Sequence, residues 1–232
     1  MKTLLLLALA MFALGPTDAM AQQKTSTPVV YSCPMHSEVK SKTPGKCPKC
    51  KMDLVEQTTS SASESAEKVV AESGRSLNIP DVEVLDQDGQ VRHFYSDLVK
   101  GKTVAVNFIF TNCTTICPPL GATFARVQHE LGDKLGKDVY FISVSVDPLT
   151  DTPERLKAWG AKFKAGPGWT FVTGNKEQID QLLRALGASA ARREDHTPSV
   201  IVGNDEKDVW TRTYGLASAS QMVALLEEAS QP

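Results

Sequence analysis

An apolar run, Thr103 to Phe110, leads into Thr111-Asn-Cys-Thr-Thr-Ile-Cys-Pro-Pro119, so two thiols stand between a strand and two prolines. No other stretch constrains the fold as strongly. Proline is tolerated in the first turn of a helix, where its missing N–H would be unpaired anyway. The helix carrying Phe124, Val127 and Leu131 is therefore expected to start near Cys117. Both thiols would then lie at a helix N-terminus, where aligned backbone dipoles favour the thiolate. A disulfide exchanger normally has two residues between its cysteines in this setting. The third residue loosens the pair and makes room for a soft ion between the sulfurs, with copper(I) the leading candidate.

Five cysteines fall into two groups, Cys33/Cys47/Cys50 and Cys113/Cys117. The N-terminus combines Lys2, an apolar run from Leu4 to Leu14, and Ala19-Met-Ala21. Residues 1–21 read as a secretory signal cleaved after Ala21, with an uncleaved anchor as the alternative. The apolar run is shorter than the ~20 residues of a membrane span, and the mature chain has no strong membrane signal. An odd cysteine count in an exported chain fits metal or redox chemistry better than a structural disulfide framework. The 25 basic and 27 acidic residues balance without a basic block, which argues against nucleic acid or an anionic membrane as partner.

Residues 30–55 form a cysteine-rich module, and 56–76, with Thr-Thr-Ser-Ser-Ala-Ser-Glu-Ser, read as a flexible linker. A short helical turn is expected at Glu67 to Ala71. From residue 77 to 232, strands alternate with helices. A hairpin turns at Asp88-Gly89, with Gln90 to Phe94 as its second arm. Thr103 to Phe110 and Val139 to Val146 are near-continuous apolar strands, as expected when both sheet faces are covered. A helix to about Leu135 separates them. Thr152 is a plausible N-cap with Pro153 behind it, opening a helix to about Lys164. Further elements are a strand at Trp169 to Val172, a helix at Lys176 to Leu186, a hairpin of Ser199 to Val202 with Val209 to Arg212, and a helix at Ser218 to Ala229. This pattern is an α/β fold with a mixed central sheet and flanking hairpins. A dithiol where the first buried strand meets its helix points to a thioredoxin-like domain, with the site beyond the carboxyl end of that strand.

Two thiolates hold copper(I) well but copper(II) poorly, because copper(II) prefers nitrogen or oxygen ligands. Of the four histidines, His93 and His129 read as structural or solvated and His36 belongs to the small module. His196, in Glu194-Asp-His-Thr-Pro198, precedes the strand whose leading loop lies against the dithiol in a thioredoxin-like sheet. It is the candidate third ligand. Thr111-Asn-Cys-Thr-Thr-Ile-Cys-Pro118, Ser143-Val-Ser-Val-Asp-Pro148 and Asp195-His196 before a strand resemble the Sco/SenC family. These are thioredoxin-fold proteins that supply copper to respiratory oxidases, chiefly cytochrome c oxidase. The resemblance covers about residues 77 to 230. It implies that Cys113, Cys117 and His196 ligate copper, with Asp147 and Asp195 supporting them. Two features depart toward thiol exchange. Thr114 stands where many members have proline, and Thr197-Pro198 is similar to the loop that thioredoxins place, in cis, opposite their dithiol. A cis Thr197-Pro198 bond facing the thiols is therefore expected.

Cys33-Pro-Met-His36 and Cys47-Pro-Lys-Cys50 are two similar knuckles. Three thiols and an imidazole suit tetrahedral zinc, while Met35 and Met52 beside them are soft ligands better suited to copper(I). A module this small cannot bury enough surface to fold unaided, so a metal is expected to hold it together. Tyr31 to His36, Pro44 to Cys50 and Met52-Asp-Leu54 resemble the heavy-metal-binding domain of copper efflux proteins and copper-transporting ATPases. Lys51 stands where that domain usually has glycine, in a turn that is harder for lysine.

Three functions compete. One is a periplasmic copper chaperone serving an oxidase subunit or another exported copper client. A second is a thiol–disulfide oxidoreductase acting on an exported client, itself served by a periplasmic thiol reductase. The third is a thiol peroxidase, which would leave the metal module without a role. His196 favours copper, whereas Thr114 and Pro198 favour redox chemistry.

Overall fold

The computed structural model describes residues 29–33, 39–58, 72–73 and 77–231. Residues 1–21, Met35, His36 and Glu67 to Ala71 lie outside them, so the expected signal, two knuckle ligands and the helical turn are not described.

Three short strands build the module: β1 (Val29–Ser32), β2 (Lys40–Ser41) and β3 (Val55–Thr58). Their order is β2-β1-β3, both pairings being antiparallel. The second knuckle closes on itself, Cys47 N–H donating to the Met52 carbonyl (2.7 Å) and Lys51 N–H to the Cys47 carbonyl (2.8 Å). Lys51 adopts φ 63°, the left-handed conformation that glycine takes without a steric cost.

The larger domain is one eight-stranded sheet in the order β4-β11-β10-β7-β8-β9-β5-β6. Its elements are β4 (Glu72–Ser73), β5 (Glu83–Asp86), β6 (Val91–His93), β7 (Thr103–Ile109), α1 (Cys117–Leu131), β8 (Val139–Ser145), α2 (Pro153–Ala161), β9 (Trp169–Thr173), α3 (Lys176–Ala185), β10 (Ser199–Asn204), β11 (Val209–Tyr214) and α4 (Ala219–Ser230). β7, β8 and β9 are parallel and the remaining pairings antiparallel, giving the mixed sheet. Every residue of β7 is buried because helices cover both faces. Phe124 of α1, Leu156 of α2 and Leu226 of α4 pack with Ala105, Phe141 and Val200 on one side. Ile179 and Leu182 of α3 pack with Val106, Phe108 and Val144 on the other.

Strands enter the stretch read as linker from both sides. β3 continues to Thr58 in its own sheet, and β4 joins the large sheet through Thr211↔Ser73 and Arg212↔Glu72. Backbone pairing, which composition does not report, decides these ends. The second hairpin arm stops at His93, and Phe94–Val99 forms a wide π-type turn. Asp81 drives it by accepting from the Tyr95 and Ser96 amides and the Ser96 hydroxyl. α1 ends at Leu131, where Gly132 takes φ 53°, and a 3-10 turn over Gly132–Lys134 carries the helical stretch on to the expected end near Leu135. Thr152 caps α2 as expected, and Ser218 caps α4.

Candidate metal centres

The dithiol lies where β7 runs out. α1 begins at Cys117 itself, with prolines in its first turn. The Cys117 amide donates to Cys113 Sγ at 3.4 Å, and Thr115 Oγ1 lies 3.8 Å from the same sulfur. The thiols are not joined in a disulfide, and both are buried. They are not equivalent, contrary to the expectation that both favour the thiolate. Burial opposes ionisation of Cys113, but hydrogen bonds from the Cys117 thiol and amide and from Thr115 hold its pKa below the usual thiol value. Deeper burial pushes Cys117 far up, and its hydrogen bond to Cys113 retains the proton. Donor geometry splits the pair, where a shared helix terminus would have treated both alike.

Asp151 anchors the loop that carries the thiols. Its carboxylate, 1% exposed, accepts from the Thr111 amide (3.1 Å), the Thr111 hydroxyl (2.5 Å) and Ser145 Oγ (2.7 Å). Arg155 of α2 adds a hydrogen bond to Asn112 Oδ1 at 2.5 Å. A buried carboxylate with several donors holds the ends of two strands at a fixed spacing.

His196 arrives from the loop before β10. Its Nδ1 lies 2.6 Å from the Arg193 carbonyl. A carbonyl only accepts, so Nδ1 carries a proton, and in the neutral ring the lone pair then falls on Nε2. Nε2 is buried and has no hydrogen-bond partner among the described residues. Such an orphaned acceptor is costly unless something binds it. Phe110 links the two halves of the site: its carbonyl accepts the Cys113 amide at 3.1 Å, and its ring meets the imidazole edge-on at 5.8 Å. Arg193 lies over the Phe110 ring at 5.9 Å and pairs with Asp147. Asp147 thus reaches His196 through Arg193, whereas Asp195 forms a two-pronged pair with Arg192 at 2.8 and 2.9 Å. Arg193, Asp151 and Phe110 are not singled out by sequence reasoning; the Arg192-Arg193 pair beside His196 is the signal that could have raised Arg193.

The Thr197–Pro198 bond is trans, against the expected cis geometry. The Pro198 carbonyl accepts Gly215 N–H at 2.9 Å, which ties the residue into the pairing that starts β10 and β11. Trans is also the lower-energy isomer by about 0.5–1 kcal/mol.

Among the described residues, three His, Cys, Asp or Glu donors lie within 4.8 Å of one another at one place, the sulfurs of Cys33, Cys47 and Cys50. Cys33 and Cys50 Sγ are 3.4 Å apart. Burial pushes the Cys47 thiol up, but the Cys50 and Lys49 amides and the thiols of Cys33 and Cys50 bring it from 9.0 down to about 6. A three-sulfur cradle of this kind fits a soft metal, with room for a fourth ligand. Cys113, Cys117 and His196 do not close to that spacing. Their chemistry nonetheless fits copper: a thiol held below its usual pKa, a second thiol, and a buried imidazole nitrogen that makes no hydrogen bond among the described residues.

A family model described as SCO1/SenC matches residues 71–231. The chain belongs to the SCO1/SenC family. A second model, heavy metal binding domain, matches residues 30–57. The SCO1 protein homolog of Bacillus subtilis is 40% identical over 118 residues, which is 50% of this chain and 60% of that relative. The match therefore spans less than two thirds of the relative's length. Among solved structures, BsSco, described as a member of the Sco family of cytochrome c oxidase assembly proteins with a disulfide switch, is 28% identical with a TM-score of 0.55. It covers 68% of this chain and 97% of its own. Copper-bound yeast Sco1 has a TM-score of 0.55 over 67% of this chain and 92% of its own, and at 21% identity it shows the common fold. The large domain is thus the thioredoxin-like Sco fold.

Proposed function

We propose that this SCO1/SenC chain is an exported, periplasmic copper chaperone that passes copper from Cys113, Cys117 and His196 to a respiratory oxidase subunit or another exported copper client. The buried, unpartnered Nε2 of His196 carries this reading. It is a nitrogen ligand joined through Phe110 to the loop that carries Cys113, and its hydrogen bond to the Arg193 carbonyl fixes the tautomer as in many metal-bound histidines. Two sulfurs serve copper(I), and the added nitrogen makes copper(II) acceptable too. The relatives support the reading: BsSco is described as an oxidase assembly protein and yeast Sco1 was solved with copper bound. The N-terminal module would hold copper or zinc of its own.

His196→Ala tests the assignment. Copper(I) affinity should be largely spared and copper(II) affinity lost, together with the sulfur-to-copper(II) charge-transfer band. Equal copper(II) affinity in the variant would remove His196 from the ligand set.

Thiol–disulfide exchange is the second reading, favoured by the split between Cys113 and Cys117. Cys113 sulfur would attack one sulfur of a client disulfide and release the other as a thiolate. That thiolate takes the Cys117 proton, and Cys117 then resolves the mixed disulfide. The client gains two electrons and the pair ends oxidised, to be restored by a periplasmic thiol reductase. The trans Thr197–Pro198 bond removes the cis-proline argument for this reading. The Cys113–Cys117 reduction potential, measured beside copper content, separates the two.

A further inference from the structure

The direction of β4 decides from which end of the sheet the chain enters the large domain. β4 runs antiparallel to β11, with Ser73 opposite Thr211 and Glu72 opposite Arg212. β11 in turn runs toward Tyr214, which faces Ser199, three residues after His196. The chain therefore enters β4 from the end of the sheet where the thiols and His196 gather. A parallel β4 would have brought it in from the opposite end.

Distance is set by the same pairings. The order β4-β11-β10-β7 places Glu72 three strand spacings, about 14 Å, from the strand that leads to the thiols. Through Arg212↔Ile201 and Ile201↔Val106, Glu72 is level with Val106, three residues short of the end of β7 at Ile109. Together these offsets amount to roughly 20 Å between Glu72 and the thiol loop. Thirteen residues, 59–71, join Thr58 of the module to Glu72. Their covalent reach is at most about 45 Å, more than twice the span.

A second soft-metal cradle, Cys33/Cys47/Cys50, is thus tethered within reach of the dithiol and attached on its side of the sheet. We propose that the module docks on this end of its own large domain and exchanges copper(I) directly with Cys113, Cys117 and His196 in one molecule. This rests on the copper reading above and names the partner in one of its steps. Each copper–sulfur bond formed to Cys113 or Cys117 replaces one broken to the module, and copper stays in the +1 state. Any proton leaving Cys113 or Cys117 passes to a module thiolate as that thiolate loses the metal. Tethering raises the effective concentration of one site at the other to about the millimolar range for short linkers.

The test uses full-length chains with copper(I) as the probe. At one copper per chain, exchange between the two sites is followed by NMR line shapes of residues beside each. The rate should not change on dilution. Inserting about fifty Gly/Ser residues between positions 64 and 65 should slow it about tenfold, as effective concentration falls with linker length. In a mixture of Cys113→Ser/Cys117→Ser and Cys33→Ser/Cys47→Ser/Cys50→Ser chains, transfer should instead scale with concentration. A wild-type rate that follows concentration, or one indifferent to the insertion, would overturn the proposal. If the Cys33→Ser/Cys47→Ser/Cys50→Ser chain binds no copper, it is the copper reading that fails.

Discussion

Asp147 and Arg193 form an ion pair that joins the end of β8 to the loop carrying His196. Arg193 then presents its carbonyl to His196 Nδ1, so a carboxylate just past the end of one strand positions an imidazole on the loop before another. Asp147 is 9% exposed, which limits screening of the pair.

Breaking this pair should loosen His196 without touching either thiol. Asp147→Ala and Arg193→Ala are expected to weaken copper(II) binding about 10–100-fold, the usual penalty for losing an outer partner of a metal-bound histidine. Copper(I) affinity should change far less. Competition titrations in both oxidation states check this, and Arg193→Lys should recover part of the loss. Equal losses in both states would mean that the pair supports the fold and not the imidazole.

The thiols should react in order. In the reduced, metal-free protein, iodoacetamide should label Cys113 well before Cys117, because Cys113 is held below the usual thiol range and Cys117 above it. Stability should follow both shifts. As pH rises toward about 9, the folded state already holds a Cys113 thiolate that the unfolded chain lacks, so stability climbs. Beyond about 9 the unfolded chain ionises while Cys117 keeps its proton, so stability falls. Urea midpoints across pH should show this maximum, and Cys117→Ala should flatten its alkaline limb.

Lys51 strains the module. A left-handed φ costs an L-residue about 1–2 kcal/mol, and glycine avoids this at an entropic cost of about 0.5–1 kcal/mol. Lys51→Gly should therefore stabilise the metal-bound module by up to about 1 kcal/mol, read as greater resistance to a chelator. With Cys47 lowered to about 6, its contribution to the apo module is complete above about pH 9 and disappears as pH falls through 6. Metal retention should drop in that same acid range. A retention curve that breaks well above pH 6 would contradict the environment assigned to Cys47.

The elements of the large domain were legible because each has a local cause. β7 is apolar throughout, Pro118 and Pro119 open α1, and Thr152 and Ser218 cap their helices. Cys113 and Cys117 stood out by residue type and spacing, and His196 by its place before the strand whose leading loop faces the dithiol in a thioredoxin-like sheet. Contacts between residues distant in sequence left no such mark. The split between the thiols depends on which sulfur is deeper and which accepts the Cys117 amide. Arg193 gains its role from Asp147, 46 residues earlier, and Asp151 gains its role from Thr111 on another loop. The isomer at Pro198 was set by its pairing with Gly215, and the entry side of the chain by the register of two residues, Glu72 and Ser73, on β11. Periodicity, capping and ligand type act over a few neighbouring residues and can be read in order along the chain. Burial, proton placement and strand direction are properties of the assembled sheet, so only the tertiary structure decided them.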